Sequence, residues 1–325
     1  MLVLSSSDVR ASLPMPDAID AMKRAFASMA RGEVNVPLRI NLAAPNDRDG
    51  TLVMPARVDG GSGSLAVKVV SLFGGNVGIG IPQIQGAVIV LDPDTGQTLA
   101  LLEGSSLTAI RTAAASGAAT DLLADSASAT LAILGAGVEA RTHIDAMCSV
   151  RPITTIRVFS PTPGNVDAMI AELGQQPFQI SRSDSAADAV RDADIICTTT
   201  TSKTPVLEDA DVKPGAHINA IGTHTPDACE VGGATVARAW VVVDERAAAW
   251  AEAGDLIQPR QAGLIGEDHI RAEVGELVLD PDLRPTSPDQ VTLFKSVGIA
   301  VQDAVAATAA LEGAKRLGLG TTVSL

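Results

Sequence analysis

Apolar positions change their period along the chain, and the change marks two kinds of architecture. Over Pro16–Ala30 they recur at helical spacing, with Ile19, Met22, Ala25, Phe26 and Met29 on one face. Proline at the start and Asp17 in the first turn complete the signature of an α-helix. Gly50–Val58, Ser64–Phe73 and Gln85–Leu102 are instead rich in Val, Ile and Leu and are broken by Gly and Asp. They predict strands, and Asp92-Pro93-Asp94-Thr95-Gly96 inside the last of them predicts a hairpin turn. This N-terminal part reads as an α+β domain with a mainly antiparallel sheet. Glu103-Gly104-Ser105-Ser106 then leads into a long helix of small residues, Leu107 to Leu123.

From Thr130 onward, strands and helices alternate. Strands are predicted at Thr130–Leu134, Thr155–Phe159, Ile195–Thr199, His217–Gly222, Trp240–Asp244 and Val291–Val297. Helices fall at Val138–Ser149 and Asn165–Leu173. That spacing predicts an α/β fold, a Rossmann-type doubly wound parallel sheet placed after the α+β N-terminal domain. The last helix, Ile299–Leu317, is read as crossing back to the first domain. Residues 1–125 with 300–325 form one expected domain and 126–299 the other, which suits a chain of 325 residues.

Composition narrows the partners. The formal net charge of −14 leaves no basic field for nucleic acid or an acidic membrane surface. With no Tyr, two Trp and five Phe, carbohydrate platforms and base-stacking surfaces are disfavoured as well. Cys148, Cys197 and Cys229 are widely spaced without a CxxC, which suits buried thiols in a reducing cytoplasm. Four scattered histidines offer no metal-ligand spacing, so no metal is expected. The opening MLVLSSSDVRASL has no positive n-region, and no stretch approaches the ~20 apolar residues of a membrane span. The expectation is a cytoplasmic protein with a small-molecule ligand.

The sharpest local signal is Leu131-Ala132-Ile133-Leu134-Gly135-Ala136-Gly137-Val138-Glu139-Ala140, a strand, a GxGxxA turn and a helix start. Gly135 permits the turn, Gly137 lets the backbone approach a pyrophosphate, and Ala140 keeps the helix against its strand. Amides at Val138, Glu139 and Ala140 face the phosphates. Thr199 and Gly222, near the ends of later strands, and Ser296, Val297 and Gly298 complete the expected dinucleotide-binding set. The second strand ends in Phe159-Ser160-Pro161-Thr162 rather than a carboxylate that would grip the ribose of NAD. Ser160 and Thr162 can donate to a 2′-phosphate, so NADP(H) is favoured over NAD(H).

Cations in the first domain carry the second signal. Lys68 interrupts the apolar run Leu65–Val70, where alternation permits either a solvent-facing or a buried position. Arg39, in Pro37-Leu38-Arg39-Ile40, reads as an edge charge or a ligand group. Arg111 lies in a helix of small residues whose neighbours must approach closely, so it needs an anionic partner. Asp121, another internal carboxylate or a substrate carboxylate would serve.

Together these stretches resemble the ornithine cyclodeaminase/μ-crystallin family. The likeness is carried by Leu65–Ser71, Leu107–Ser116, the Gly135–Ala140 loop, Pro214–Gly222, Glu252-Ala253-Gly254-Asp255 and Phe294-Lys295-Ser296-Val297-Gly298, in the family's order. The resemblance implies a homodimer joined through the N-terminal domains, a Rossmann domain for NAD(P), and small amino or imino acid substrates. It also implies that Arg39, Lys68 and Arg111 hold the substrate carboxylate.

One departure ranks the activities. The family's cyclodeaminases carry an Asp shortly before a Cys-Pro in the loop after Gly222. Here the loop is Thr223-His224-Thr225-Pro226-Asp227, and alignment on the proline places His224 at that position. Reduction of a cyclic imino acid, Δ1-pyrroline-2-carboxylate or its six-membered homologue, therefore ranks above ornithine cyclisation. An alanine- or opine-type dehydrogenase and a non-catalytic binder follow. Lys68, His224 and Asp227 are the catalytic candidates, since an imine must keep its nitrogen protonated to accept hydride.

Overall fold

The structure, a computed structural model, describes residues 1–45, 49–60 and 63–324. It divides into two compact units, Met1–Arg111 with Ile299–Leu325, and Thr112–Gly298.

The first unit opens with β1 (Leu2–Leu4), α1 (Ser6–Ser12) and α2 (Met15–Ala30). The short α1 is fixed by a reciprocal cap: the Asp8 amide donates to Ser5 Oγ at 3.3 Å and the Ser5 amide to Asp8 Oδ2 at 2.9 Å. There follow β2 (Val34–Asn35), β3 (Ile40–Ala43), β4 (Gly50–Val58), β5 (Ser64–Leu72), β6 (Ile84–Leu91) and β7 (Thr98–Glu103). Strands β4 to β7 form an antiparallel meander, β1 joins β7 in parallel, and β2 and β3 both pair with β4. The Asp92–Gly96 turn links β6 to β7, as the sequence predicts. Helix α3 (Gly104–Leu123) begins earlier than its apolar pattern suggests. The Glu103 carboxylate accepts the Ser105 and Ser106 amides at 2.7 and 2.9 Å and so caps a helix that starts at Gly104, three residues ahead of Leu107.

The second unit carries β8 (Thr130–Leu134), α4 (Val138–Val150), β9 (Thr155–Phe159), α5 (Pro163–Leu173), β10 (Gln179–Arg182), α6 (Ala186–Val190), β11 (Ile195–Thr198) and β12 (His217–Ala220). It continues with α7 (Gly233–Arg238), β13 (Trp240–Val243), α8 (Arg246–Glu252), α9 (Gly254–Gln261), β14 (Ile270–Glu273), α10 (Val274–Leu279) and β15 (Thr292–Lys295). Among the described residues, its eight strands pair in the order β10-β9-β8-β11-β12-β15-β13-β14, every pairing parallel. Ala132, Leu134, Ile196, Ile218, Val241 and Leu293 belong to one buried apolar cluster, the near-continuous burial of a doubly wound sheet. The strand order reverses between β8 and β11, which is where such sheets bind ligands.

The chain then re-enters the first unit as α11 (Ala300–Leu317) and β16 (Thr321–Thr322), which pairs with β1. Small side chains at Ala300, Ala304, Ala307, Ala310 and Ala314 let α11 lie close on β4, β5 and α2.

Candidate active site

Lys68 shares a face of β5 with buried Ser64, Ala66 and Val70, and its register partners are Met54 and Val88. It is 2% exposed, so the solvent-facing alternative is excluded. An ammonium in that setting requires an anion. Asp303, in the first turn of α11, provides one, with Oδ2 at 2.6 Å from Lys68 Nζ. Its other oxygen accepts the Arg111 Nε–H at 2.9 Å, and Arg111 Nη1 donates to Gln302 Oε1 at 2.8 Å. Burial lowers the Lys68 pKa to about 8, an effect that Asp303 opposes and that Arg111 and Arg39 reinforce. Arg39 is thus electrostatically coupled to the same cluster.

Arg111 finds its carboxylate in Asp303; Asp121 binds Arg151 instead, at 3.0 Å. Sequence reading missed Asp303 and Gln302. The available signal was a polar pair, Gln302-Asp303, opening an Ala-rich helix whose sides are otherwise buried.

In the second unit, Gly135 follows β8 with φ of 120° and its amide donates to Phe159 O at 2.8 Å. A Cβ there would stand 2.5 Å from Thr199 Oγ1, so only glycine fits between the ends of β9 and β11. Gly137, the N-cap of α4, has open space where its Cβ would be. Ala140 is buried against the sheet, whereas Val138 is exposed. A second unanticipated residue, Arg141, donates through Nη1 to the carbonyls of Ala136 and Gly137 at 3.0 and 2.9 Å. With those carbonyls held, the first-turn amides of α4 have no intrahelical acceptor and form a positive helix end. These residues fit the pyrophosphate of a dinucleotide.

Ser160 and Thr162 follow β9, where the Thr162 amide donates to Ser160 Oγ at 3.4 Å. Beside them, β10 ends in Arg182, whose Nη1 is shared by both oxygens of Asp167 at 2.7 and 3.0 Å. The Ser296 hydroxyl and the Val297 and Gly298 amides all donate to Asp244 Oδ2, at 3.0, 2.9 and 2.8 Å, which fixes the turn after β15. The Gly222 amide donates to Glu230 Oε2 at 2.6 Å.

His224 and Asp227 lie on an exposed loop after β12. Asp227 pairs with Lys203 at 2.7 Å and accepts the Thr225 hydroxyl at 2.7 Å; the Lys203 bond is the chief cause that holds its pKa down at about 2. A carboxylate so held is a permanent anion rather than a proton carrier at neutral pH.

The remaining histidines are structural: His143 meets Ser116 at 3.0 Å, His217 meets Thr292 at 2.8 Å, and His269 meets the Val236 carbonyl at 2.7 Å. The three cysteines are free thiols. Among the described residues, no His, Cys, Asp and Glu group is arranged to hold a metal ion, and no helix is long and apolar enough to cross a membrane.

A doubly wound parallel sheet with a glycine turn at its switch point, joined to a unit with a buried Lys–Asp–Arg cluster, defines a dinucleotide-dependent enzyme of small anionic substrates. Residues 1–316 match the ornithine cyclodeaminase/mu-crystallin family, and the chain belongs to it. A Δ1-pyrroline-2-carboxylate reductase of Bacillus cereus is 36% identical over 99% of both chains. The structure of Thermococcus litoralis Δ1-pyrroline-2-carboxylate reductase, in complex with NADH and L-proline, is similar with a TM-score of 0.93 and 39% identity, over 99% of this chain and 100% of that one. An archaeal alanine dehydrogenase dimer with bound NAD is similar with a TM-score of 0.91 and 28% identity, over 100% and 99% of the two chains.

Proposed function

We propose that the protein reduces a small cyclic imino acid, Δ1-pyrroline-2-carboxylate or Δ1-piperideine-2-carboxylate, to L-proline or L-pipecolate with NAD(P)H. The observation that carries the reading is the buried cluster of Lys68 and Arg111 around Asp303. Two cations set against one carboxylate leave a net positive charge, which Arg39 increases, so the cluster attracts a substrate carboxylate. Arg111 orients that carboxylate and Lys68 binds it. Reduced nicotinamide, when bound, supplies the hydride. Lys68 or His224 keeps the imine nitrogen protonated as the carbon accepts it. The similarity to a reductase solved with NADH and L-proline supports the same substrate class.

NADP(H) is the favoured cofactor, because hydroxyls at Ser160 and Thr162 stand where an NAD-specific site places a carboxylate, with Arg182 on the neighbouring strand. A homodimer is supported by exposed apolar side chains on the first unit: Leu38, Ile40, Leu42, Val69, Ile79 and Ile84. Edge strand β3 is exposed along its whole length, and a second copy would cover it. Free thiols at Cys148, Cys197 and Cys229 suit the cytoplasm.

Oxidation of NADPH and NADH is measured with each cyclic imine, beside L-ornithine with catalytic NAD scored for ammonia. Cofactor oxidation with an imine and no ammonia is the expected result. Ammonia and proline at constant cofactor would establish a cyclodeaminase instead. Inertness toward both, with tight binding of a non-substrate ligand, would point to a binder.

A further inference from the structure

Two of the stretches that carry the family likeness each hold a buried charge with no part yet in this chemistry: Asp255 in Glu252-Ala253-Gly254-Asp255 and Lys295 in Phe294-Lys295-Ser296-Val297-Gly298. They meet inside the second unit, and Glu230 completes a buried ionic cluster with them. Lys295, Asp255 and Glu230 are all fully buried. The Lys295 ammonium lies 2.8 Å from Asp255 Oδ2 and donates to the Thr223 carbonyl at 2.7 Å and to Thr223 Oγ1 at 3.2 Å. Asp255 Oδ1 accepts the amides of Glu230 and Val231 at 2.7 and 2.9 Å, and Oδ2 accepts the Thr223 hydroxyl at 2.9 Å. The Glu230 carboxylate accepts the Gly222 amide at 2.6 Å, the Thr198 hydroxyl at 3.0 Å, and the Thr200 amide and hydroxyl at 2.7 and 2.8 Å.

These bonds converge on one segment. Gly222 and Thr223 are tied at its start, Glu230 and Val231 at its end, and the exposed residues His224 to Asp227 bridge the two ties. Gly254 brings the start of α9 directly onto the same segment, since a Cβ there would stand 2.1 Å from Ala228 O and 2.8 Å from Thr225 O. Burying two carboxylates and an ammonium is costly, and apolar side chains of equal volume would fill the space with less penalty. What apolar groups cannot do is bind five backbone groups in fixed directions, four of them in Gly222–Val231. The expenditure is therefore directional: it sets the path of the loop.

We propose that Lys295, Asp255 and Glu230 are positioning residues that fix the His224–Asp227 loop in the conformation used for imine reduction. This rests on the reading that His224 serves the reduction. None of the three touches the reacting atoms; each acts through the backbone of Gly222–Val231.

The test uses the full-length chain carrying Lys295→Met, with Asp255→Asn as the near-isosteric second variant should the first fail to fold. Hydrogen exchange at the amides of Gly222, Glu230 and Val231 is followed beside NADPH affinity and the kcat and KM for the cyclic imine. The expected result is exchange about tenfold faster at those amides, with kcat lowered about tenfold or more and NADPH affinity changed by less than kcat. Unchanged exchange at those amides overturns the clamp. Faster exchange throughout the second unit with loss of NADPH binding also overturns it, since the cluster would then be general support. Faster local exchange with kcat and KM intact separates the loop from the reaction and overturns the positioning role. A wild-type protein that reduces no cyclic imine fails the functional reading, while exchange still decides the clamp.

Discussion

Asp303 stands 2.6 Å from Lys68 through one carboxylate oxygen and 2.9 Å from Arg111 through the other. One anion therefore sets the spacing of two cations from different elements, β5 and α3, before any substrate arrives. That arrangement shapes the expected response of the site to mutation and pH.

Arg111→Ala should raise the KM for the cyclic imine by roughly 10- to 100-fold, the value of a charge-assisted contact. NADPH affinity, read by fluorescence titration, should stay unchanged. A variant that loses both would show Arg111 to be a folding residue.

The pH profile carries the signature of Lys68. Its pKa in the folded protein, about 8, lies below the ordinary 10.5, so the ammonium is lost as pH rises through that range. kcat/KM for the imine should fall above about pH 8 in the wild type. Asp303→Asn removes the neighbour that holds the proton on, and the alkaline limb should move to lower pH. Stopped-flow assays across pH with both proteins measure the displacement; coincident limbs would separate Lys68 from binding.

Cofactor choice is expected to turn on Ser160. Ser160→Asp supplies the missing carboxylate and should shift the ratio of kcat/KM for NADPH over NADH toward NADH by about tenfold or more. Parallel initial-rate measurements with the two cofactors decide it.

Arg141→Ala frees the Ala136 and Gly137 carbonyls and should weaken both cofactors alike, by about 1–2 kcal/mol, without altering the preference between them. Isothermal titration provides the numbers. Loss confined to one cofactor would contradict a role at the shared pyrophosphate.

Stability should fall in acid through His143 and His217. Burial lowers their pKa values to about 4 and about 3, so the unfolded chain takes up protons that the folded one refuses. Their contribution is whole above pH ~6.5 and is lost progressively below it, on the order of 3 kcal/mol for His143 by pH 4. Thermal melts from pH 7 to 4 should show the slope, and His143→Gln should flatten it.

The sequence already carried much of this architecture, because β8, β11 and β13 are near-continuous apolar runs, whereas β10 and β14 at the sheet's edges carry polar residues and leave no such run. The first unit was less legible. Strand β3 is exposed along its whole length, so the alternation of Ile40, Asn41 and Leu42 marks no buried face, and α1 announces itself only through the Ser5–Asp8 cap. Alternation along β5 grouped Lys68 with Ala66 and Val70, but it could not say which face was buried. The partner that makes a buried Lys68 tolerable arrives on α11, where nothing local to either residue marks the pairing. Only tertiary packing joins them, as it joins Lys295 to Asp255.

The route of the chain has a consequence for biosynthesis. The second unit is continuous in sequence, whereas the first is interrupted after Arg111 and resumes at Ile299. On the ribosome, Lys68 and Arg111 emerge long before the carboxylate of Asp303 exists to neutralise them. The nascent first unit must hold two uncompensated cations in water until the C-terminal helix is made, so its core closes last. A chain terminated early would contain Lys68 and Arg111 without the carboxylate that makes their burial tolerable.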